Sequence, residues 1–278
     1  MKILLVHPQI NSIPAYSYGI GYLISVLKRG GHSADYFVLQ DLRDILLLYQ
    51  TVKEQKPDII GFSLLTAEAG YLGDIIKGVK EISSALIVCG GIHPTLQPES
   101  TSQIDGVDAI VRGEGEYPLL ELANCMEKKE GYFHLKNFWF KKNGQIIKND
   151  LRPLIDLNEL PPPDKGIFYQ RMIDLDWGTN RFMFNRGCPF GCSYCSNSAL
   201  QMLYKSKGPF CRFLSPQKAI ELIDLDSKRF KFDFIFFDDD IIALDKNWFY
   251  EFFALYKKRF SYPFCCNVRA GSVDSAMI

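Results

Sequence analysis

The sequence predicts an α/β protein in which a doubly wound parallel sheet precedes the first part of a second parallel array of strands and helices. Short apolar strands alternate with amphipathic helices over residues 1–150. A proline run at 161–163 then interrupts regular structure, and the alternation begins again near residue 181. Alternating strands and helices require a parallel sheet that helices cover on both faces.

The first 150 residues contain candidate strands and helices with clear boundaries. Ile20, Leu23, Ile24 and Leu27 recur at helical spacing, and Gly30 follows them as a stop signal. The expected strands are 2–7, 33–39, 58–64, 85–89 and 108–112. The expected helices are 19–29, 41–55, 67–82 and 117–128. Ligands of such a sheet bind beyond the carboxyl ends of its strands.

The segment that follows predicts a hairpin and then a connector. Residues 137–148 contain the turn pair Asn143-Gly144 between two apolar runs, which is typical of a hairpin that extends or caps the first sheet. Residues 160–164 break regular structure, and residues 169–179 are expected to pack across both halves. The predicted organisation is a first domain at 1–150, a linker at 151–180 and a second domain at 181–278.

The second domain starts with a strand at 181–185 that leads directly into a cysteine-rich loop. Ser215 and Pro216 form a helix start, since serine caps a helix and proline suits its first turn. The expected elements after that loop are a helix at 215–226, a strand at 232–237, a helix at 245–258 and a strand at 264–269. These are about three strand–helix units, and we expect the chain to be a fragment or an early-terminated product.

Composition excludes several classes of function. Lys plus Arg and Asp plus Glu number 32 each among 278 residues, so bulk charge argues against nucleic-acid binding. No apolar run reaches the length of a membrane span. The amino terminus lacks the pattern of a cleaved signal peptide, which favours a cytoplasmic location. Eight cysteines in such a chain indicate metal or redox chemistry before disulfides.

Three of those cysteines, Cys188, Cys192 and Cys195, have the spacing C-x3-C-x2-C. Three thiolates on one tight loop can each hold one iron of a cubane cluster, which leaves a fourth iron open to a small molecule. A structural zinc site is the alternative, but zinc usually takes four ligands from two separated pairs. The nearest further thiol downstream is Cys211. The remaining cysteines are interpreted as buried or incidental thiols.

The motif resembles that of the radical S-adenosylmethionine (SAM) enzymes, including the aromatic Tyr194 before the third cysteine. The first domain resembles the cobalamin-binding domain found before many such enzymes, a flavodoxin-like or Rossmann-like fold. The matching segments are 17–23 (SYGIGYL), 90–99 (GGIHPTLQPE) and 111–116 (VRGEGE). An LPxPD connector at 160–164 also precedes the catalytic barrel in relatives. The resemblance implies that residues 181–278 begin a partial (β/α)6 barrel.

Cobalamin would lie across the strand ends, with its nucleotide tail near Ser63 and the Gly90-Gly91 pair. The residues that the resemblance assigns to it are Tyr18, Gly19, Ser63, Gly90, Gly91, His93, Gly113 and Glu114. Glycines there let a flat ligand approach the backbone. Glycine is, however, also common in ordinary turns after strands. The Asp-x-His-x-x-Gly motif that supplies a cobalt ligand is absent after the first strand. No cobalt-ligating histidine is therefore assigned; His93 is the candidate, but the resemblance implies a loop-shaping role for it, as a hydrogen-bonded turn residue.

Three consecutive acids, Asp238, Asp239 and Asp240, follow the apolar strand at 232–237. The stretch resembles the FxDDxxxxD segment of cobalamin-dependent radical SAM proteins, which implies that an acid here, Asp239 first, meets the SAM ammonium. The alternative is a capped turn before the next helix. Arg269 would pair with the SAM carboxylate or lie near its ribose, or else form a surface salt bridge. Tyr194 would lie against the adenine edge, or simply pack the loop.

The resemblance implies a radical SAM enzyme that reductively cleaves SAM at a 4Fe-4S cluster, makes a 5′-deoxyadenosyl radical and, with cobalamin, transfers a methyl group to an unactivated carbon. Cyclisation or rearrangement without cobalamin is an alternative. A non-catalytic cobalamin- or metal-binding protein, or an inactive fragment, is another. The implied partners are a small-molecule or natural-product substrate and a flavodoxin- or ferredoxin-type electron donor.

Overall fold

The computed structural model describes residues 1–10, 16–166, 168, 178–275 and 277. The chain forms two compact units. The first comprises Met1–Pro153 and Pro163–Ile167, and the second comprises Leu154–Pro162 and Phe168–Ile278. The expected linker at 151–180 is thus divided between the units. Of the stretch 169–179, which we expected to pack across both halves, residues 169–177 lie outside the described residues.

The first unit is built on a seven-stranded sheet with the order β2-β1-β3-β4-β5-β6-β7. Its first five strands are parallel, and the hairpin β6–β7 adds to β5 in the antiparallel direction. The strands are β1 (Lys2–Pro8), β2 (Ser33–Leu39), β3 (Ile59–Ser63), β4 (Leu86–Gly90), β5 (Ala109–Val111), β6 (Phe138–Lys142) and β7 (Gln145–Lys148). The doubly wound sheet and its hairpin extension are confirmed.

Helices cover both faces of this parallel sheet and thereby bury its strands on both sides. They are α1 (Tyr18–Arg29), α2 (Asp44–Gln55), α3 (Leu72–Ile82), α4 (Ile92–Leu96), α5 (Pro98–Ser102) and α6 (Glu116–Lys128). Helices α2 and α3 pack together, and so do α1 and α6. The Ser17 hydroxyl accepts from the amide of Ile20 at the start of α1, and Gly31, at φ +88°, follows its end. Side-chain capping and left-handed glycine are the usual helix boundaries.

Two helices of the first unit differ from the sequence expectation. Helix α2 begins at Asp44 rather than at residue 41, because Asp41 accepts from the amide of Arg43 at 2.8 Å and forms a turn. The expected helix 67–82 is a 3₁₀ helix, Thr66–Tyr71, followed by α3. The Glu68 carboxylate accepts from the amide of Leu65 at 2.9 Å, which holds that tighter first turn. The short helices α4 and α5 were not expected.

The second unit contains a three-stranded parallel sheet with the order β12-β11-β8. Its elements are β8 (Thr179–Phe182), β9 (Asn185–Arg186), α7 (Ser196–Leu203), β10 (Arg212–Phe213), α8 (Pro216–Arg229), β11 (Phe234–Phe237), α9 (Lys246–Arg259) and β12 (Phe264–Cys266). Strands β9 and β10 pair separately and antiparallel. This is the beginning of a parallel strand–helix barrel, as expected.

The strand expected at 181–185 is wrong in its bounds. Strand β8 covers Thr179–Phe182, and Asn185–Arg186 belongs to the separate β9–β10 ladder. The expected strand 264–269 ends at Cys266, because the amide of Ile242 bonds to the Asn267 carbonyl, outside the β11 ladder. Both differences lie where strands turn toward the cysteine-containing segment.

Aromatic side chains form the core of the second unit. Phe184, Phe237, Trp248 and Phe252 are each less than a tenth exposed. The Trp248 and Phe252 rings stack with centroids 4.9 Å apart, and the Trp248 Nε1–H donates to the Leu214 carbonyl at 2.6 Å. Within the described ranges, no helix is both long and apolar enough to cross a membrane.

Candidate functional site

The cysteine loop, defined as residues 187–195, belongs to the second unit and directly follows β9. Cys188, Cys192 and Cys195 are free thiols and all three are partly exposed. The amide of Cys195 donates to the Cys192 carbonyl at 3.1 Å, and the Ser198 hydroxyl donates to the Cys195 carbonyl at 2.9 Å. The Gln201 amide donates to the Cys188 carbonyl. Helix α7 thus holds the loop's last cysteine and supports its first.

Glycine is required where the cysteine loop begins. Gly187 has φ +91°, and a Cβ there would lie 2.2 Å from the Phe210 carbonyl oxygen. The segment that leads into strand β10 therefore passes directly against the backbone before Cys188. A positive φ and a close backbone approach are the two conditions that only glycine meets without strain.

The three cysteines suit a cubane cluster in number, accessibility and spacing. No group of three or more His, Cys, Asp or Glu side chains in the described ranges could hold a single metal ion. A cubane does not need such convergence, because each thiolate binds a different iron. Three accessible thiols on one loop are thus a donor set that fits a 4Fe-4S cluster.

The segment after β12 contacts the cysteine loop through Arg269. Its guanidinium carbon lies 3.8 Å from the centroid of the Phe190 ring, between the first two cysteines. The Arg269 backbone is held by Ser272, whose hydroxyl accepts from the Arg269 amide at 3.1 Å. Tyr194 is 91% exposed, so its ring is open to a ligand rather than packed in the loop.

The three consecutive acids after β11 have three different environments. Asp238 accepts from Arg181 in a bidentate pair, with 2.8 Å between its Oδ2 and the arginine Nε. Asp240 is exposed, and its Oδ2 accepts from the side-chain amide of Asn197, in α7, at 2.7 Å. Asp239 is completely buried. The sequence did not indicate that these acids point in different directions.

Burial raises the pKa of Asp239 to about 7, although hydrogen bonds from the amides of Phe184 and Asn185 oppose this shift. Those amides donate to its Oδ1 at 2.8 Å and 2.7 Å. Its Oδ2 has no hydrogen-bond partner among the described residues. This carboxyl group, which we expected to meet the SAM ammonium first, is therefore closed off from solvent.

In the first unit, the carboxyl ends of β3 and β4 lie side by side. Ser63 pairs with Gly90, and the amide of Leu64 donates to the Gly90 carbonyl at 2.9 Å. Gly91 has φ +97°, and a Cβ there would lie 2.7 Å from the backbone of Leu64. Gly90 is similarly close to the Val111 side chain. The chain's own packing thus requires this glycine pair.

Polar bonds connect the next two loops at the same edge. The Thr95 hydroxyl donates to the Gly91 carbonyl at 2.7 Å and accepts from the Gly113 amide at 2.9 Å. Asn137, which is 1% exposed, donates from its side-chain amide to the carbonyls of Arg112 and Glu114. Sequence reasoning missed both Thr95 and Asn137, because a single Thr or Asn carries no periodic signal.

His93 is buried, and its Nδ1 lies 3.3 Å from the Thr66 hydroxyl, as in a hydrogen-bonded turn. Gly19 is exposed with open space around its Cα, and Tyr18 contacts Tyr16 edge to face at 4.7 Å. Ser63 and Glu114 are partly exposed at the same strand-end edge. An open edge of partly exposed polar groups and glycines fits a flat ligand such as a corrin. Residues 11–15 of the first loop lie outside the described ranges.

The sequence matches a family model described as the B12 binding domain over residues 14–123. It is 30% identical over 264 residues to an uncharacterized methyltransferase of Pyrococcus horikoshii. That alignment covers 88% of this chain and 55% of the relative. It is 27% identical over 271 residues to the anaerobic magnesium-protoporphyrin IX monomethyl ester cyclase of Rubrivivax gelatinosus. That alignment covers 91% of this chain and 47% of the relative. The chain thus spans about half the length of these curated relatives.

Two solved structures share the fold of both units. One is the radical SAM methyltransferase TsrM from Kitasatospora setae, with a TM-score of 0.71, 18% identity and coverage of 95% of this chain and 53% of that one. The other is the cobalamin-dependent radical SAM enzyme OxsB, with a TM-score of 0.78, 19% identity and coverage of 98% and 39%. The doubly wound domain followed by the start of a barrel is therefore an established architecture.

Proposed function

We propose that the chain, which is similar to radical SAM proteins that carry a B12-binding domain, holds a 4Fe-4S cluster on Cys188, Cys192 and Cys195 and uses it to cleave SAM reductively. The three partly exposed thiols on one loop carry this proposal. The loop follows the first strand of a parallel sheet, which is where a parallel strand–helix barrel places its chemistry. Zinc remains the competing occupant of the cysteine loop.

Cys188, Cys192 and Cys195 would hold the cluster, which in its reduced form would supply the one electron for reductive cleavage of a carbon–sulfur bond of SAM into methionine and a 5′-deoxyadenosyl radical. The chain's own residues bind and orient SAM beside the cluster. We propose Arg269 for its carboxylate, because the guanidinium already lies over the cysteine loop. Tyr194, which is open to solvent, is proposed for the adenine edge.

Asp238, Asp239 and Asp240 are the acids that the resemblance assigns to SAM, and we propose the two with solvent access, Asp238 and Asp240, as those that could contact it. Asp240 is the best placed of them to meet an ammonium group, because it is exposed and lies close to the last cysteine. It accepts a hydrogen bond from Asn197, in the first turn of α7, which begins directly after Cys195. Its carboxylate would form a charge-assisted hydrogen bond with that ammonium. Asp238 already pairs with Arg181, so an ammonium would have to share it.

We propose methyl transfer to an unactivated carbon as the reaction of the whole protein, with cobalamin as the methyl carrier. The B12-domain match at 14–123 and the methyltransferase relatives support this. We keep 1–150 as the cobalamin domain, 151–180 as the connector and 181–278 as the first half of the barrel. The residues proposed to face cobalamin are Tyr18, Gly19, Ser63, Gly90, Gly91, His93, Gly113 and Glu114.

A ring-forming reaction is the second candidate. The Rubrivivax gelatinosus cyclase covers 91% of this chain, slightly more than the methyltransferase relative does. Both outcomes would start from the same carbon radical on the substrate. Which of the two reactions follows would be decided by the residues that bind the substrate in the whole protein.

The proposed partners follow from this chemistry. A radical SAM enzyme needs a low-potential one-electron donor, for which we propose a flavodoxin or ferredoxin. The substrate class is a small molecule, as it is for tryptophan-bound TsrM. We place the protein in the cytoplasm, because thiols that bind iron must stay reduced.

Anaerobic reconstitution with iron and sulfide, followed by addition of SAM and a strong reductant, tests the function. We expect the absorbance of a 4Fe-4S cluster and the formation of 5′-deoxyadenosine. Titration of the same material with cobalamin should give a saturable absorbance shift near one equivalent. A cluster without cobalamin binding would favour radical chemistry that does not use B12. A bound zinc ion in place of iron would overturn the proposal.

A further inference from the structure

Asp239 holds two backbone amides that lie just before the cysteine loop. Its carboxyl oxygen Oδ1 accepts from the consecutive amides of Phe184 and Asn185 at 2.8 Å and 2.7 Å. Phe184 lies between β8 and β9, and Asn185 is the first residue of β9, three residues before Cys188. A single oxygen thus fixes two adjacent peptide groups just before the first cysteine.

The same segment is held from its other side. The Phe184 ring lies in the aromatic core, with its centroid 5.2 Å from that of Phe252 and 5.6 Å from that of Phe237. The Asn185 side-chain amide donates to the Ile241 carbonyl at 3.3 Å. Asp239 and its neighbours therefore connect the end of β11 to the entry of the cysteine loop.

The backbone of Asp239 extends this connection to the third strand. The side-chain amide of Asn267 donates to the Asp239 carbonyl at 3.1 Å. The amide of Ile242 donates to the Asn267 carbonyl, also at 3.1 Å. The ends of β11 and β12 are thereby joined through Asn267, which is common to both contacts.

We propose that Asp239 is a positioning residue, which fixes the peptides of Phe184 and Asn185 through Oδ1 and so holds Cys188 where a cluster needs it, rather than a contact of the SAM ammonium. The complete burial of this side chain and the double use of Oδ1 support a structural anchor. The role toward a cluster rests on the proposed function. The anchoring of the two amides does not.

Two substitutions separate anchoring from ligand contact. Asp239→Asn keeps an oxygen that can accept from both amides, but it removes the negative charge that an ammonium would need. Asp239→Leu keeps the approximate volume and removes the acceptor. Asp224→Asn is the matched control, since Asp224 lies on the surface of α8 and pairs with Lys228 and Arg259.

The first readout is hydrogen exchange of the Phe184 and Asn185 amides in the cluster-free chain. We expect wild type, Asp239→Asn and Asp224→Asn to protect them alike, and Asp239→Leu to exchange them about tenfold faster or more. Equal protection in all four proteins would overturn the anchoring. Should the leucine variant not fold, the asparagine variant still decides the question through its SAM affinity.

The second readout is iron and sulfide content after anaerobic reconstitution, together with the affinity for SAM. We expect Asp239→Asn to match wild type in both, and Asp239→Leu to lose most of its iron. If Asp239→Asn took up iron normally but bound SAM about tenfold more weakly, the carboxylate would be a ligand contact and the proposal would fail. If wild type took up no iron, the proposed function would fail, while the exchange result would still stand.

Discussion

The Arg269 guanidinium lies over the ring of Phe190, with its central carbon 3.8 Å from the ring centroid. Phe190 sits between Cys188 and Cys192, so the segment after β12 is joined to the cysteine loop by a cation–π contact. The contact orients a cation next to three thiols. Arginine suits this place because its planar group can stack on a ring and still offer donors to a carboxylate.

Phe190→Leu should therefore weaken SAM binding without removing the cluster. The leucine keeps apolar bulk in the loop, but it loses the ring face that orients Arg269. A cation–π contact contributes about 0.5–2 kcal/mol, so the dissociation constant for SAM should rise roughly 2- to 30-fold. Equilibrium binding of labelled SAM to reconstituted protein measures this.

Phe230→Leu is the control, because Arg229 lies 5.1 Å from the Phe230 ring at the end of α8, in a contact that involves no cysteine. That variant should bind SAM like wild type. Unchanged SAM affinity in Phe190→Leu would mean that Arg269 does not face SAM, or that it keeps its place without the ring.

Each of the variants Cys188→Ala, Cys192→Ala and Cys195→Ala should lose the 4Fe-4S absorbance after reconstitution. A cubane held by three thiolates already has one iron without a protein ligand, so the loss of another thiolate should make it unstable. The cysteine loop contains no other cysteine or histidine that could replace the lost thiolate. Cys125→Ala, in the first unit, should keep full iron and sulfide content. Iron and sulfide assays measure both sets, and retention of the cluster by any of the three loop variants would contradict the assignment of its ligands.

Gly91→Ala should destabilise the first unit and disturb the edge proposed for cobalamin. The residue has φ +97°, and its new Cβ would lie 2.7 Å from the nitrogen and oxygen of Leu64. Left-handed strain and this overlap together should cost about 1–3 kcal/mol or more in the free energy of unfolding. Urea denaturation measures this loss.

Gly73→Ala serves as its control, because Gly73 lies in α3 and a methyl group there would point into open space, with no neighbouring group within 4 Å. Replacing glycine by alanine inside a helix should stabilise it by about 0.5–1 kcal/mol. If both variants shifted stability in the same direction, the close approach of Leu64 would not be the cause.

The second unit should lose stability as the pH rises, because of Asp239. Burial raises the pKa of this carboxyl from 3.8 to about 7 in the folded chain, so the folded state binds its proton more tightly than the unfolded state does. The resulting stabilisation is complete below about pH 4 and is lost as the pH rises through about 7. Asp239→Asn has no proton to lose, so the stability of the variant relative to wild type should rise between about pH 4 and pH 7.

Hydrogen exchange of the amides of α9 measures this difference within the second unit. Asp224→Asn should not reproduce it, because its partners Lys228 and Arg259 lower the pKa of Asp224, which is the opposite direction. A constant difference between wild type and Asp239→Asn across this pH range would show that Asp239 does not titrate there.

The amino-acid sequence alone determined the parallel sheet, the hairpin and the cysteine loop, because each depends on short-range signals. Apolar alternation marked β1 to β5, the Asn143-Gly144 pair, at φ 51° and 76°, marked the hairpin, and Ser215-Pro216 marked the start of α8. The cysteine spacing was visible because all three cysteines lie within eight consecutive residues.

Tertiary structure alone decided which way the three acids of 238–240 face. They are chemically identical in sequence, yet Asp238 meets Arg181, Asp240 meets Asn197 and Asp239 is buried against the amides of Phe184 and Asn185. Their partners are more than 40 residues away along the chain, so no local pattern could reveal them. The periodicity of apolar residues along the chain determines the strands and helices. The burial of an individual side chain depends instead on which distant residues the fold places in contact with it.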